Sequence, residues 1–539
     1  MSEGFLLLVL HAHLPFVPEN EEKKPLAEEW LFEAITETYI PLLNLMNRLR
    51  ERNIDFSLTL NISPPLAAML SSQLMQNKYL KHLEKLIELT EKEVRRTKYD
   101  SPLNEVAKLY RYLFKEAHYI FHKKYKDNLL TGFRELQDSG CLEIITSAAT
   151  HSYLPLVLTE ESISAQISTG VKSYQHHFGK QPPGLWLPEC GFKPEISPLL
   201  AANELKYFFS SHHGLIFARP RPRYGVFAPL YTPEGVAVFG RDRESGKQVW
   251  SADEGYPGDY NYREFYRDIG FELDYNYLKD YLPRGERKHL GIKYYKITGK
   301  TENKDIYRPE AANKKAREHA ENFLFNRQQQ VKYLADIMDR PPVITAPYDA
   351  ELFGHWWFEG PQWLEHLLKK IALHPEELKT ITASQYLNEY SKNQVAVPAE
   401  SSWGYRGYHE VWLNGNNDWI YRHLHEAELK IKDLSARYSD LTDKNSILYR
   451  TLTQMGRELM LAQSSDWAFI MKADTVTEYA EERTRGHLDN FFNLASGVDK
   501  KNIDRNLLKR LEVEDNIFPF IDYKVYLPAK NRTEIVSIS

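Results

Sequence analysis

The sequence predicts an α/β barrel followed by a helical C-terminal domain, and three observations lead there. Short apolar runs alternate with long amphipathic stretches, the residues with chemical potential come just after those runs, and strand signals fade past about residue 400. The composition allows it. The 539 residues are 42% hydrophobic and 27% charged, ordinary for a folded chain of two or three packed units.

The expected strands are 5–10, 56–60, 142–145, 184–187, 207–209 and 343–344. Each is a short, mostly apolar run bounded by turn signals, the pattern of a strand buried on both faces of a parallel sheet. Helical periodicity covers 26–50, 66–92, 104–137, 162–177 and 314–338. His11/His13, Asn61/Ser63, Thr146/His151, Glu189 and Asp349 each follow an apolar run. Chemistry drawn from the carboxyl ends of many strands favours a barrel over a doubly wound sheet, which gathers it at one switch point. Neither common Gly-rich phosphate loop is present.

From about residue 192 to 240 the pattern turns irregular, with 219–223 reading Arg-Pro-Arg-Pro-Arg. A small insertion crossing the barrel mouth is expected there. Residues 241–310 hold the densest aromatic loop, at 255–268, and helical periodicity returns at 418–438, 443–464 and 475–496. The expected layout is a barrel over 1–195 and 241–400, a small inserted domain with a lid loop over 196–240, and a helical domain over 401–539.

Charge and cysteine content exclude several classes of partner. With 69 Lys and Arg against 74 Asp and Glu, the net charge of -5 gives no reason to expect nucleic acid or an anionic membrane. Cys141 and Cys190 are too few for a disulfide framework, which points to a reducing compartment and a cytoplasmic protein. The apolar opening at 5–10 lacks a preceding basic residue and a cleavage site, and is too short to span a bilayer, so it reads as a strand. Aromatics reach 13%, many in Gly/Pro-rich segments. They suit stacking on the apolar faces of sugar rings, or simple burial in a large core.

Two segments concentrate possible chemistry. In Leu185-Trp186-Leu187-Pro188-Glu189-Cys190-Gly191, a strand ends in a carboxylate. Taken alone, Glu189 reads equally as a salt-bridge or capping residue, and Cys190 as a buried inert thiol. In Asp349-Ala350-Glu351-Leu352-Phe353-Gly354-His355-Trp356-Trp357, two carboxylates, a histidine and paired indoles crowd one post-strand segment. Buried charges need partners, so such density suggests a site. Carboxyls opposed across a cleft carry glycosidic bond chemistry when their environments separate their acidities. His11, His13 and His151 invite a metal reading; the alternative is hydrogen bonding to sugar hydroxyls or to the carboxylates. Trp403, in Glu400-Ser401-Ser402-Trp403-Gly404, and Trp412 suggest a stacking surface.

Taken together these segments resemble glycoside hydrolase family 57, and within it the glycogen branching enzymes. His11-Ala12-His13-Leu14-Pro15, 142–155, Trp186-Leu187-Pro188-Glu189-Cys190, 349–357 and 400–404 are similar to the family's five signature regions, in order. The resemblance implies an incomplete (β/α)7 barrel with a small inserted domain and a helical end. It implies Glu189 as nucleophile and Asp349 as acid/base of a retaining mechanism without metal or other cofactor. It implies an α-glucan as partner, cut at an α-1,4 link and transferred to a 6-hydroxyl, with a monomer or small homo-oligomer as the working form. Expected to bind substrate are His11, His13, His151, Trp186, Tyr231, Tyr262, Arg263, His355, Trp356, Trp403 and Trp412, with Tyr231 on a lid loop at 221–242. Alternatives are an α-amylase or 4-α-glucanotransferase of the same family, a metal-dependent deacetylase or mannosidase, and an inactive glucan-binding protein.

Overall fold

The computed structural model describes residues 2–19, 26–251, 254–282 and 285–528. Its ten strands are β1 (Phe5–Ala12), β2 (Leu58–Ile62), β3 (Leu142–Ser147), β4 (Gly184–Trp186), β5 (Tyr207–Ser210), β6 (Leu230–Tyr231), β7 (Ala237–Gly240), β8 (Val343–Asp349), β9 (Lys379–Thr380) and β10 (Gln394–Val395). Seven of them run parallel in the order β8-β1-β2-β3-β4-β5-β7. The ring closes through a single bridge, Arg241 to Thr345, where the Asp242 N–H donates to the Thr345 carbonyl at 2.9 Å. One bridge where a ladder would run makes the barrel incomplete, as expected.

Register builds the site. Every residue of β1 is buried, which fixes its register against both neighbours. His11 thereby lies opposite Asn61 on β2 and Asp349 on β8.

The 26–50 periodicity is realised as two helices, Leu26–Ala34 and Ile40–Glu51, joined by a π-helical turn at Ile35–Tyr39. That turn aims Glu37 and Tyr39 at the segment after β8, a use typical of such bulges. The other periodic stretches also become helices, at Gln73–Arg96, Ser101–His118, Glu160–Phe178 and Pro309–Ala335 among others.

Residues 196–240 are the segment expected as a small inserted domain. They contribute β5, β6 and β7, and Phe208, Leu230 and Val238 are buried in one cluster with Leu185 and Leu187. The physical reason is the apolar content of 226–239, which favours adding strands to the existing sheet. The segment expected as a lid, 221–242, holds the antiparallel β6–β7 hairpin, with β10 paired on its outer side. A second irregular layer covers 254–282 and 285–307, where Tyr262, Tyr281, Tyr294 and Tyr307 are buried in the main core.

The C-terminal helices are Trp419–Arg437, Ile447–Ala462, Ser465–Ala473, Thr477–Asp499 and Arg505–Glu514. Leu459 and Phe491 share one buried cluster with Leu8 and Leu60 of the barrel. The helix Ser465–Ala473 is pinned at the barrel mouth, its first N–H donating to the His151 carbonyl at 3.0 Å. Among the described residues no helix is long and apolar enough to cross a membrane.

Candidate active site

Glu189 follows β4 in a tight turn, Pro188–Cys190, and both Glu189 and Cys190 take positive φ values, 60° and 50°. Non-glycine residues pay strain there and persist only when their surroundings hold them. Trp403 does so: its backbone N–H donates to the Glu189 carbonyl at 3.0 Å, and its indole N–H to Oε2 at 2.7 Å. Ser465 Oγ lies 3.0 Å from the other oxygen, Oε1. Burial raises the Glu189 carboxyl to about 7, against the opposing hydrogen bond from Trp403.

Asp349 ends β8. Burial, then the neighbouring Glu351 and Glu189, push its carboxyl well above the usual range, while Arg241 opposes them. Glu351 is raised to about 7, chiefly by burial, and accepts from the Tyr39 hydroxyl and from the His13 N–H at 3.1 Å. Burial thus raises both Asp349 and Glu189, and their acidic neighbours add to the shift on Asp349.

Both open on a cleft of about 540 Å³. It brings together His11, His13 and His151 with Trp356, Trp403 and Trp412. The three imidazoles stack, His13 on His151 at 3.8 Å and His11 on His151 at 4.9 Å between ring centres. Burial holds His11 and His151 well below the usual imidazole range, so their rings favour the uncharged form. Trp412 borders the cleft and stacks on Tyr153 at 4.3 Å, and Trp356 stands 56% exposed, stacked on Phe265 at 4.6 Å.

Five expected substrate contacts lie elsewhere. Trp186 is fully buried and lies under His11 at 4.8 Å, flooring the histidine stack. Tyr231 sits in β6, packed against the inner core of the barrel, and does not line the cleft. Arg263 and His355 both turn to Glu37, at 3.3 and 2.7 Å. Burial would raise the Glu37 carboxyl, but Arg263 and His355 outweigh it and hold it at about 2. A buried guanidinium needs such a partner, which takes it from the cleft. The Tyr262 hydroxyl pairs with His319 at 2.8 Å.

Five cleft residues escaped the sequence reading: Arg241, Trp250, Val411, Asp466 and Phe469. Arg241 follows β7 at a strand end like the others but inside the 221–242 stretch read as a lid loop. Asp466 accepts from His13 Nε2 at 3.0 Å and comes from the helical domain, whose periodicity gives no sign of a site. His13, His151 and Asp466 place donor atoms within 4.8 Å of one another and are the cleft residues that could hold a cation; each is engaged in a hydrogen bond to a neighbour. A second cleft of about 920 Å³ adjoins the first and shares its wall of Arg241, Trp403 and Gly404.

Two buried carboxyls opening on one cleft, walled by indoles and floored by imidazoles, suit one reaction class above others: breaking and remaking a glycosidic bond. Residues 7–399 match the glycosyl hydrolase family 57 model, and 423–526 match the model described as 1,4-alpha-glucan branching enzyme, C-terminal. The chain belongs to glycosyl hydrolase family 57. It is 34% identical to a 1,4-alpha-glucan branching enzyme of Thermococcus kodakarensis, over 96% of this chain and 77% of that one. Among solved structures it is similar to an alpha-amylase of Thermotoga maritima, at 47% identity and TM-score 0.91, covering 98% and 99% of the two chains. It is also similar to a family 57 branching enzyme of Pyrococcus horikoshii, at 34% identity and TM-score 0.87, covering 98% and 97%.

Proposed function

We propose that the protein is a 1,4-α-glucan branching enzyme. One observation carries this reading: the domain matched by the branching-enzyme model supplies Ser465 to Glu189 and Asp466 to His13, and so is part of the site. The relatives named as branching enzymes support it.

In this reading Glu189 attacks the anomeric carbon while Asp349 gives its proton to the departing glycosidic oxygen. The result is a covalent glycosyl-enzyme with retention on its later discharge. Asp349, now a carboxylate, takes the proton of an incoming 6-hydroxyl, and the new α-1,6 link forms as Glu189 departs. The second cleft, meeting the first at Trp403 and Arg241, gives an acceptor chain a place beside the intermediate. The two free cysteines suit a cytoplasmic setting, and nascent glycogen is the substrate proposed, with a monomer or small homo-oligomer as the working form.

A second reading, α-amylase, is favoured by two observations. The alpha-amylase of Thermotoga maritima is 47% identical, and the 221–242 segment forms a hairpin on the sheet instead of a cover over the cleft. Incubation with amylose separates the two. Few reducing ends at first and many after a debranching enzyme mean branching; an immediate rise that debranching hardly changes means hydrolysis.

A further inference from the structure

The two clefts that meet at Trp403 differ in charge. Four carboxyl groups line the first, on Glu189, Asp349, Glu351 and Asp466, against the one guanidinium of Arg241. Across the shared wall of Arg241, Trp403 and Gly404 the balance reverses. Arg241, Arg243, Lys247 and Arg406 line the second cleft, with Asp242 and Glu244 as its only carboxylates. Burial holds His212 and His213, also in its lining, below the usual imidazole range, so the positive charge there at neutral pH is carried by arginine and lysine.

Pairing within the cleft removes Asp242 and Lys247 from that balance. Asp242 accepts from Arg327 at 2.9 Å, from Gln330 at 3.1 Å and from the Ser245 N–H at 2.7 Å, capping the helix Arg243–Trp250. Lys247 pairs with Glu254 at 2.5 Å. The side chains of Arg241, Arg243 and Arg406 make no ion pair or hydrogen bond among the described residues. Arg241 lies over the Trp403 ring at 5.5 Å and Arg406 over the Tyr405 ring at 5.0 Å. Contacts of that kind engage the flat face of a guanidinium and leave its N–H edge open.

A neutral glucan gives these three guanidiniums nothing to bind, whereas a phosphate group accepts paired N–H bonds from each. We propose that the second cleft is a site for a phosphate monoester of glucose, the phosphate held by Arg243 and Arg406 and the sugar beside the rings of Trp403 and Phe227. The phosphate part follows from the unpaired guanidiniums, and the sugar part rests on the proposed action on α-glucan. Two sources offer this chemistry. A glucan chain bearing a phosphate is an acceptor marked for this cleft, and a free sugar phosphate occupies the acceptor's place and competes with it.

The test is isothermal titration of the full chain with inorganic phosphate, glucose, glucose 6-phosphate and a maltotetraose carrying a 6-phosphate. No turnover is measured, so the result stands whether the enzyme branches or hydrolyses. Glucose 6-phosphate is expected to bind at least ~10-fold more tightly than either glucose or inorganic phosphate, and to weaken with added salt while glucose does not. Arg243→Gln combined with Arg406→Gln, two exposed positions whose exchange spares the core, weakens it by roughly 10-fold or more. Tighter binding of the phosphorylated maltotetraose assigns the site to glucan chains, and equal affinity assigns it to free sugar phosphates. Three results overturn the proposal: no binding of glucose 6-phosphate, an affinity no better than that of inorganic phosphate, or binding unchanged in the double variant.

Discussion

Trp403 clasps Glu189 at two points, its backbone N–H on the Glu189 carbonyl at 3.0 Å and its indole N–H on Oε2 at 2.7 Å. One contact fixes a backbone held in the left-handed region and the other orients the carboxyl. Replacing Trp403 with Phe keeps a ring in the wall and removes only the indole donor. A hydrogen bond to a charged group contributes about 1.5–3 kcal/mol, so kcat/KM falls roughly 10- to 100-fold. Steady-state kinetics on amylose check this, with the larger change expected in kcat.

The carboxyls themselves are more sensitive. Glu189→Gln or Asp349→Asn is expected to lower turnover by ~10³-fold or more, since in the proposed mechanism each removes a group that bonds to, or exchanges a proton with, the reacting atoms. Melting temperatures stay close to native, because each amide keeps the shape of the acid it replaces. Activity and circular dichroism on the same samples separate loss of chemistry from loss of fold.

Below the cleft, Glu359 accepts from the Arg263 backbone N–H at 3.1 Å, and burial raises its carboxyl to about 7. A carboxyl raised on folding binds its proton more tightly folded than unfolded. Its contribution to stability is complete below the unfolded value, roughly 4.3, and is lost as pH rises to about 7, by about 1.4 kcal/mol per pH unit. Gln cannot ionise and does not follow that loss. The melting temperature of Glu359→Gln, relative to native, is therefore expected to rise between pH 5 and pH 8; a constant difference contradicts this assignment.

The barrel strands and the two carboxyls were legible because a buried parallel strand is an apolar run and polar residues gather at or just past its carboxyl end. Glu189, Asp349 and the histidines all follow that rule. Three things were not legible. The hairpin at 230–240 was hidden by the Gly and Pro around it, which suggested an insertion. Arg263 and His355 looked free to meet substrate, because Glu37, their partner, comes from a π-helical turn more than two hundred residues before Arg263. Ser465 and Asp466 sit in helical periodicity, where a polar residue reads as solvent-facing until the neighbouring domain is placed.

Trp356, exposed and stacked on Phe265, offers a face to a glucan chain at the edge of the cleft. Trp356→Ala removes one stacking surface, worth about 1 kcal/mol or somewhat more. The expected result is a rise in KM for amylose of roughly 5- to 20-fold with kcat nearly unchanged. A short activated glucoside, too small to reach Trp356, reacts at the native rate.

The central claim is that Glu189 forms a covalent bond to sugar. The direct measurement is to treat the protein with a 5-fluoro glycosyl fluoride, which slows discharge of the intermediate, digest it, and locate the added mass by tandem mass spectrometry. The account predicts a single adduct on the peptide containing Glu189, greatly increased in yield when Asp349→Asn slows discharge further. An adduct on Asp349 or Glu351, or turnover with no adduct on any carboxylate, would contradict it.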